Sequence, residues 1–302
     1  MIHTVSPATL QRRSDLLQAI RNFFLDREFV EVETPVRLPA PALESFIDAE
    51  PAGDWYLRTS PELHMKRLLV AGMPRIFQMG PCFRHGERGR LHSPEFTMLE
   101  WYRAQADYMT ILADTEALIR AVAVSVLGST CFPFGDITLD VGTPWERISV
   151  SDAFVRFAGW DPVAHFDADR FDLDLINKVE PALPRDRGVV LIDYPVEVAA
   201  LARRSDRDPR VAERWELYLG GLELANAFSE LTDAEEQRRR FEACAAERAA
   251  AGREVYPLDR PFLDALEAGM PPSGGIALGV DRLAMLIANA PTIQDVISFS
   301  AL

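Results

Sequence analysis

Between Ser6 and Glu28 the apolar residues Leu10, Leu17, Ile20 and Phe24 recur at three- and four-residue multiples among charged and polar ones. That spacing lays an apolar stripe along an α-helix, and Ser6 as N-cap with Pro7 at the first helical position marks its start. The period then drops to two. In FVEVETP, Val30 and Val32 face one way and Glu31 and Glu33 the other, a strand that Pro35 ends by removing a backbone donor. Proline-rich PVRLPAPALESF predicts an irregular connection. Thr59-Ser60-Pro61-Glu62 opens a second helix through LHMKRLLVAGM, and RIFQMGPCF and EFTMLEWYR predict two strands. Asp107 caps a long helix with Met109, Leu112, Leu118 and Val122 on one face, stopping near Gly128.

Residues 129–188 carry scattered Pro, Gly and Asp and predict a peripheral helical insertion without chemistry. Beyond it, GVVLIDY is an apolar strand, WELYLGGLELANAF a hairpin turning at Gly220-Gly221, and DAEEQRRRFEACAAERAAAG a solvated helix. The chain closes with GGIALGV, a strand, running into the helix DRLAMLIAN. Strands separated by helices and long connections predict one α+β domain on a mostly antiparallel sheet.

With 48% hydrophobic and 26% charged residues among 302, the chain supports a sizeable core. No stretch approaches the ~20 apolar residues of a spanning helix, and MIHTVSPATLQRR lacks the apolar core of a secretory signal. The reading is a cytoplasmic protein without a membrane partner. Cys82, Cys131 and Cys244 form no C-x-x-C pair, so neither a zinc site nor a disulfide framework is predicted. A formal net charge of -14 opposes general attraction to nucleic acid, which rests on Lys and Arg neutralising phosphates.

Period-two alternation in EFTMLEWY puts Thr97, Leu99 and Trp101 on a core face and Phe96, Met98, Glu100 and Tyr102 on the other. The second face is a poor core stripe, because a buried carboxylate needs a partner. It suits the floor of a pocket for something flat and something cationic, and equally an edge strand with its polar face in water. Arg84, Glu87, Arg90 and His92 precede it in a glycine-containing loop. They form either a solvated loop or an anion site in which planar guanidinium forks grip phosphate oxygens.

In the hairpin, a turn at Gly220-Gly221 pairs Tyr218 with Glu223 and sets Glu216 and Glu223 on one face, a carboxylate pair suited to Mg²⁺. Asn226, Phe228 and Glu230 have the opposite parity, so for all five to meet one ligand the strand must bend or bulge between Glu223 and Asn226. Arg282 stands in the first turn of the last helix, where the dipole prefers anions. It serves a ligand, or else pairs with a nearby carboxylate.

Taken together, FVEVETP, FRHGERGRLHSPEFTMLEWY and GGIALGVDRL resemble motifs one, two and three of class II aminoacyl-tRNA synthetases, most closely the lysyl enzymes. TSPELHMKRLL, DYPVEVAALARR and ELANAFSELTDAEEQ match the same family, and the likeness runs from about Arg12 to Ser300. Motif one stands almost at the start of the chain, where lysyl-tRNA synthetases carry an anticodon-binding barrel first. The chain therefore resembles the elongation factor P lysine ligase family.

That resemblance implies a single class II synthetase-like catalytic domain that uses ATP and Mg²⁺ to activate (R)-β-lysine or lysine. Elongation factor P would be the protein acceptor, no tRNA is expected, and a homodimer would form around Pro35. It implies catalytic roles for Arg84 and Arg282, an ATP site of Arg84, His85, Glu87, His92, Ser93, Phe96, Glu223, Leu224, Gly279 and Arg282, and Mg²⁺ on Glu216 and Glu223. The amino acid would be held by Ser60, Pro61, Glu62, Glu100, Tyr102, Asn226, Phe228 and Glu230 beside Ala277. Two departures stand out: Gly86 occupies the usual motif-two glutamate position, with Glu87 next to it, and Ala277 replaces a common motif-three glycine. A trimmed synthetase acting on RNA and an inactive lysine or ATP sensor are the alternatives.

Overall fold

The computed structural model describes residues 5–299. Ser300, the far limit of the resemblance, and the first four residues of the opening segment lie outside that range. Helix α1 (Pro7–Leu25) starts where Ser6 accepts a hydrogen bond from the Thr9 amide at 3.1 Å. Its buried stripe is Leu16, Ile20, Phe23 and Phe24, with Leu10 and Leu17 at the margins. Strand β1 is only Val30–Glu31, paired in parallel at a sheet edge, so Val30 is 48% exposed while Val32 is partly packed. Of the expected irregular connection only Arg37–Leu38 is regular, as β2, which pairs with β4 (Trp55–Leu57) in a small sheet completed by β3 (Pro51–Ala52).

Helix α2 (Glu62–Val70) has Pro61 as its N-cap, and β5 (Arg75–Phe83) and β6 (Glu95–Ala104) pair antiparallel. Helix α3 (Tyr108–Leu127) is capped by Asp107 and stops at Gly128. The 129–188 segment is more than a helical insertion. It contains a hairpin of β7 (Cys131–Phe134) and β8 (Ile137–Asp140), in which Phe132 and Phe134 are buried in the main core. It also supplies an edge strand, β9 (Glu146–Ser149), to the main sheet before α4 (Val150–Ala158) and α5 (Ala168–Asp174). These helices are joined by the stacked rings of Phe154 and Phe171, 4.9 Å apart.

Strand β10 (Val189–Pro195) precedes the hairpin of β11 (Val211–Leu219) and β12 (Leu222–Ser229). Helix α6 (Ala234–Ala250) is not simply solvated: Gln237, Phe241 and Arg248 are buried. Its contact with α7 (Arg260–Gly269), a helix absent from the sequence expectations, explains this, since Phe241 and Phe262 lie 6.2 Å apart. Strand β13 (Ser273–Gly279) leads directly into α8 (Val280–Ala288). The main sheet runs β1-β5-β6-β13-β12-β11-β10-β9, parallel only in its two outermost pairs. One face buries Leu99, Trp101, Trp215 and Leu278 with α1, α3 and α8, so the other is left to form a floor. Among the described residues no helix is long and apolar enough to cross a membrane.

Candidate active site

The floor is built in rows across three strands, because β13 lies between β6 and β12. Glu100, Ala277 and Asn226 form one row, and Tyr102, Gly275 and Phe228 the next. A Cβ on Gly275 would collide with the Glu230 carboxylate and the Tyr102 ring, while one on Gly274 would meet Ile111 and the Asp107 carbonyl. These two glycines thus accommodate protein atoms, not an approaching ligand. The hairpin pairs Tyr218 with Glu223, as its turn predicts, and then Leu217 with Ala225. Leu224 is therefore an extra residue, a β-bulge that resets parity. Beyond it Asn226 and Phe228 join Glu223 on the cleft side while Ala225 and Ala227 enter the core.

Above this floor is a cleft of about 1140 Å³. Arg84, Glu87, His92, Ser93, Phe96, Leu224, Gly279 and Arg282 line it together with Glu216 and Glu223, and so do Ser60, Glu62, Glu100, Tyr102, Asn226, Phe228 and Ala277. Three expected residues do not. His85 turns away to Glu50, 2.7 Å from its Nδ1. Pro61 serves as the α2 cap. Glu230 is fully buried behind the lining, where its carboxylate meets Lys66 Nζ at 2.5 Å.

One end of the cleft is cationic. Gly86, at φ 75°, lets the loop after β5 turn back, and the Arg84 amide bonds the Pro94 carbonyl at 2.9 Å. The Arg84 guanidinium lies 5.2 Å from the Phe96 ring centre, and its buried Nε has no partner. A buried donor without an acceptor is costly, which an incoming anion relieves. Arg282 donates to the Glu223 carbonyl at 2.6 Å, and its Nη2 lies 3.0 Å from His92 Nε2. Burial, reinforced by Arg282, lowers the His92 pKa, so its neutral ring accepts from the guanidinium.

At the other end the cleft is acidic. Ser60 Oγ and Tyr102 OH donate to the two oxygens of Glu100 at 2.6 and 2.8 Å. Burial, then the charge of Glu62, raises the Glu100 carboxyl to about 8 against these two bonds. Lys66, fully buried, holds Glu62 and Glu230 at 2.5 Å each. Burial alone would lower its pKa, but those two carboxylates outweigh it and keep it charged. An ammonium ligand needs the ionised Glu100 carboxylate, so its dissociation constant should fall by up to about tenfold per pH unit between pH 6 and 8. Titration calorimetry over that range checks this, and a flat profile would remove Glu100 from the binding site.

Between these ends, Glu216 accepts from Tyr194 at 2.6 Å, Tyr218 at 2.9 Å and Arg214 at 2.6 Å. Arg214 also reaches Asn226, 3.2 Å from its Nε. Burial, then the charge of Glu216, raises the Glu223 pKa against the pull of Arg282. Glu180, bonded by Tyr218 at 3.2 Å, is pushed up to about 7 by burial and by both neighbours' charge. This crowding of carboxylates fits a hard divalent cation with oxygen ligands. Among the described residues no group of three or more His, Cys, Asp or Glu is placed to hold a metal, so a cation on Glu216 and Glu223 would draw the rest of its shell from phosphate and water.

Lys66, Arg214, Glu180 and Glu44 are not among the residues the sequence predicts for the site. Lys66 was findable, since it stands four residues after Glu62 on one helix, and Arg214 lies two residues before Glu216 on one strand face. Glu180 and Glu44 sit in stretches without a regular period.

The family described as tRNA synthetases class II (D, K and N) matches residues 2–302 of the chain. The chain is 40% identical over 324 aligned residues to a lysine--tRNA ligase of Actinobacillus pleuropneumoniae, covering 98% of the chain and 64% of that protein. It is 39% identical to lysine--tRNA ligases of Mannheimia succiniciproducens, covering 98% of the chain and 64% of that protein, and of Pasteurella multocida, covering 96% and 63%. The chain thus spans a little under two thirds of the length of these curated relatives.

Proposed function

Because the chain belongs to the class II tRNA synthetases of the D, K and N type, we propose that it activates a lysine-type amino acid with ATP and passes the acyl group to a lysine side chain of elongation factor P. The observation that carries the first half is the opposition of charges in one cleft: Arg84 and Arg282 at one end, Glu62, Glu100 and Tyr102 at the other. An amino acid whose ammonium group rests on Glu100 presents its carboxylate toward the guanidinium end. Its oxygen attacks the α-phosphorus of ATP, the bond from that phosphorus to the bridging oxygen breaks, and pyrophosphate leaves. Arg84 meets the negative charge that builds on the α-phosphate, and Arg282, steadied by His92 and Glu223, holds the distal phosphates. Phe96 offers a flat apolar surface for adenine. Glu216 and Glu223 would hold Mg²⁺, which when bound neutralises phosphate charge. No protein nucleophile is required, since positioning and charge stabilisation suffice. In the second half, an acceptor amine attacks the acyl carbonyl and AMP leaves.

Two features favour (R)-β-lysine and a protein acceptor. The Ala277 methyl, between Glu100 and Asn226, narrows the floor where the family often has glycine, a change that shifts isomer selectivity by about 1 to 3 kcal/mol. The net charge of -14 disfavours a polyanionic acceptor. We also propose a homodimer through the segment around Pro35, where Val30 and Val36 are exposed beside the β1 edge. A second reading, transfer to tRNA, is favoured by the likeness to lysine--tRNA ligases at 39 to 40% identity.

Pyrophosphate exchange into ATP should proceed with (R)-β-lysine in preference to (S)-β-lysine and L-lysine. Elongation factor P incubated with the active mixture should gain the mass of one acyl group. Charged tRNA with unmodified elongation factor P would select the second reading, and no exchange with any isomer would end both.

A further inference from the structure

Strand β10 changes face part-way along. Val190 is buried and Ile192 partly packed in the core with α1, α3 and α8, while Val189, Leu191 and Tyr194 pack on the opposite side with Phe154 and Phe171. Strict alternation would have sent Tyr194 after Val190 and Ile192. The reversal occurs at Asp193. The ladder to β11 pairs Ile192 with Trp215 and then Tyr194 with Ala212, so Asp193 alone spans two residues of the neighbouring strand, and its φ is 61°. That left-handed conformation is uncommon for a residue with a Cβ, and aspartate and asparagine tolerate it better than most.

This backbone has a fixed partner. The Tyr108 hydroxyl donates to Asp193 Oδ1 at 2.9 Å. Tyr108 is itself pinned at the start of α3, where its amide donates to Ser229 Oγ at 3.0 Å and its carbonyl accepts from Trp215 Nε1 at 2.7 Å. One residue behind the sheet thus fastens β10, β11 and β12. On the cleft side the next residue of β10 reaches the acidic centre. Tyr194 OH donates to Glu216 Oε2 at 2.6 Å, and its ring centre lies 4.6 Å from the Arg214 guanidinium, which donates to Glu216 Oε1 at 2.6 Å. Neither Tyr108 nor Asp193 lines the cleft.

We propose that Asp193 and Tyr108 are positioning residues for the divalent cation: by reversing β10 they seat Tyr194 against Glu216 and so fix the carboxylate that Mg²⁺ would use. The inference rests on the assignment of Glu216 to Mg²⁺ made above and extends it to two residues outside the cleft. Alanine at position 193 loses both the bond and the tolerance of a left-handed backbone. Asparagine keeps both, since its amide oxygen accepts from the same hydroxyl.

Titration calorimetry without amino acid, comparing ATP in Mg²⁺ with ATP in excess EDTA, separates this role from a general loosening of the fold. Asp193→Ala should weaken binding in Mg²⁺ by about tenfold, the scale of losing a group that orients a metal ligand, and leave binding in EDTA within about twofold. The Mg²⁺ concentration for half-maximal pyrophosphate exchange should rise in step, with KM for the amino acid unchanged. Asp193→Asn should match the unmodified protein. Tyr194→Phe, which leaves the Tyr108 bond in place, should give the same selective loss, and adding Asp193→Ala to it should cost little more, because both act through one contact. Should Asp193→Ala fail to fold, Tyr108→Phe removes only the hydroxyl and should show a smaller loss of the same selectivity. Equal weakening in Mg²⁺ and EDTA, no weakening in either, or fully additive losses in the double variant would overturn the proposal. Equal binding of ATP by the unmodified protein with and without Mg²⁺ would remove the cation assignment and this proposal with it. Absence of exchange despite Mg²⁺-dependent binding would instead refute only the activation reading.

Discussion

Arg282→Ala is expected to lower the rate of pyrophosphate exchange by about 10²- to 10³-fold, the scale of losing one donor aimed at developing charge. The side chain is the meeting point of two elements that are distant in the chain. It bonds the Glu223 carbonyl from the hairpin and His92 from the motif-two loop, so its fork is fixed before any nucleotide arrives. Lysine at this position should restore only part of the rate, because it keeps the charge and loses the planar fork. ATP affinity, measured by calorimetry, should fall less than the exchange rate. If Arg282→Ala retained exchange within threefold, the guanidinium would be a strut between β12 and the loop, and the phosphate role would have to move elsewhere.

The second large effect is on stability. Lys66→Met should cost about 3 to 5 kcal/mol, because it removes the cation from a pair in which Lys66 and Glu230 have no exposed side-chain surface. Glu62 and Glu230 would then face each other uncompensated, and the loss should be smaller at low pH, where Glu230, its carboxyl raised by burial, takes a proton, and larger as pH rises. Adding Glu230→Gln to Lys66→Met should recover part of it, since a neutral amide needs no counter-charge. Chemical denaturation of the single and double variants at pH 6 and pH 8.5 measures this. A cost below about 1 kcal/mol at both values would mean that the pair is screened by solvent.

The position of Lys66 also bears on how far the site was legible. The alternation in EFTMLEWY is visible in the sequence itself, and Leu99 and Trp101 are fully buried on one face while Phe96, Glu100 and Tyr102 line the cleft on the other. Alternation is a local property of a strand, so one short stretch contains all the information needed. The parity that Glu230 shares with Asn226 and Phe228 predicts a cleft residue. Parity places a side chain on a face but not at a depth, and Lys66, supplied by a different element, holds it below the lining. The strands of the 129–188 segment are illegible in the sequence because β7, β8 and β9 are four residues each, too short for a period to emerge. For α6, the sequence shows abundant charge, but Arg248 is charged and wholly enclosed: a guanidinium whose donors all have acceptors can be interior, and its partners at positions 44 to 48 are some two hundred residues away. His85 lies within the motif-two stretch, yet Glu50 draws it off the site, which spacing alone does not disclose.

The extra residue at Leu224 makes β12 behave like a sentence with a fixed reading frame. Upstream of it the odd-numbered Glu223 faces the cleft, and downstream the even-numbered Asn226 and Phe228 do. Deleting that one leucine would yield a more regular ladder and a worse protein, since it would turn either the acid or the amide and ring into the hydrophobic interior. The hairpin can therefore exchange side chains freely at many places while tolerating no change in the number of residues between its turn and Asn226, so variation here is expected by substitution and never by single insertion or loss.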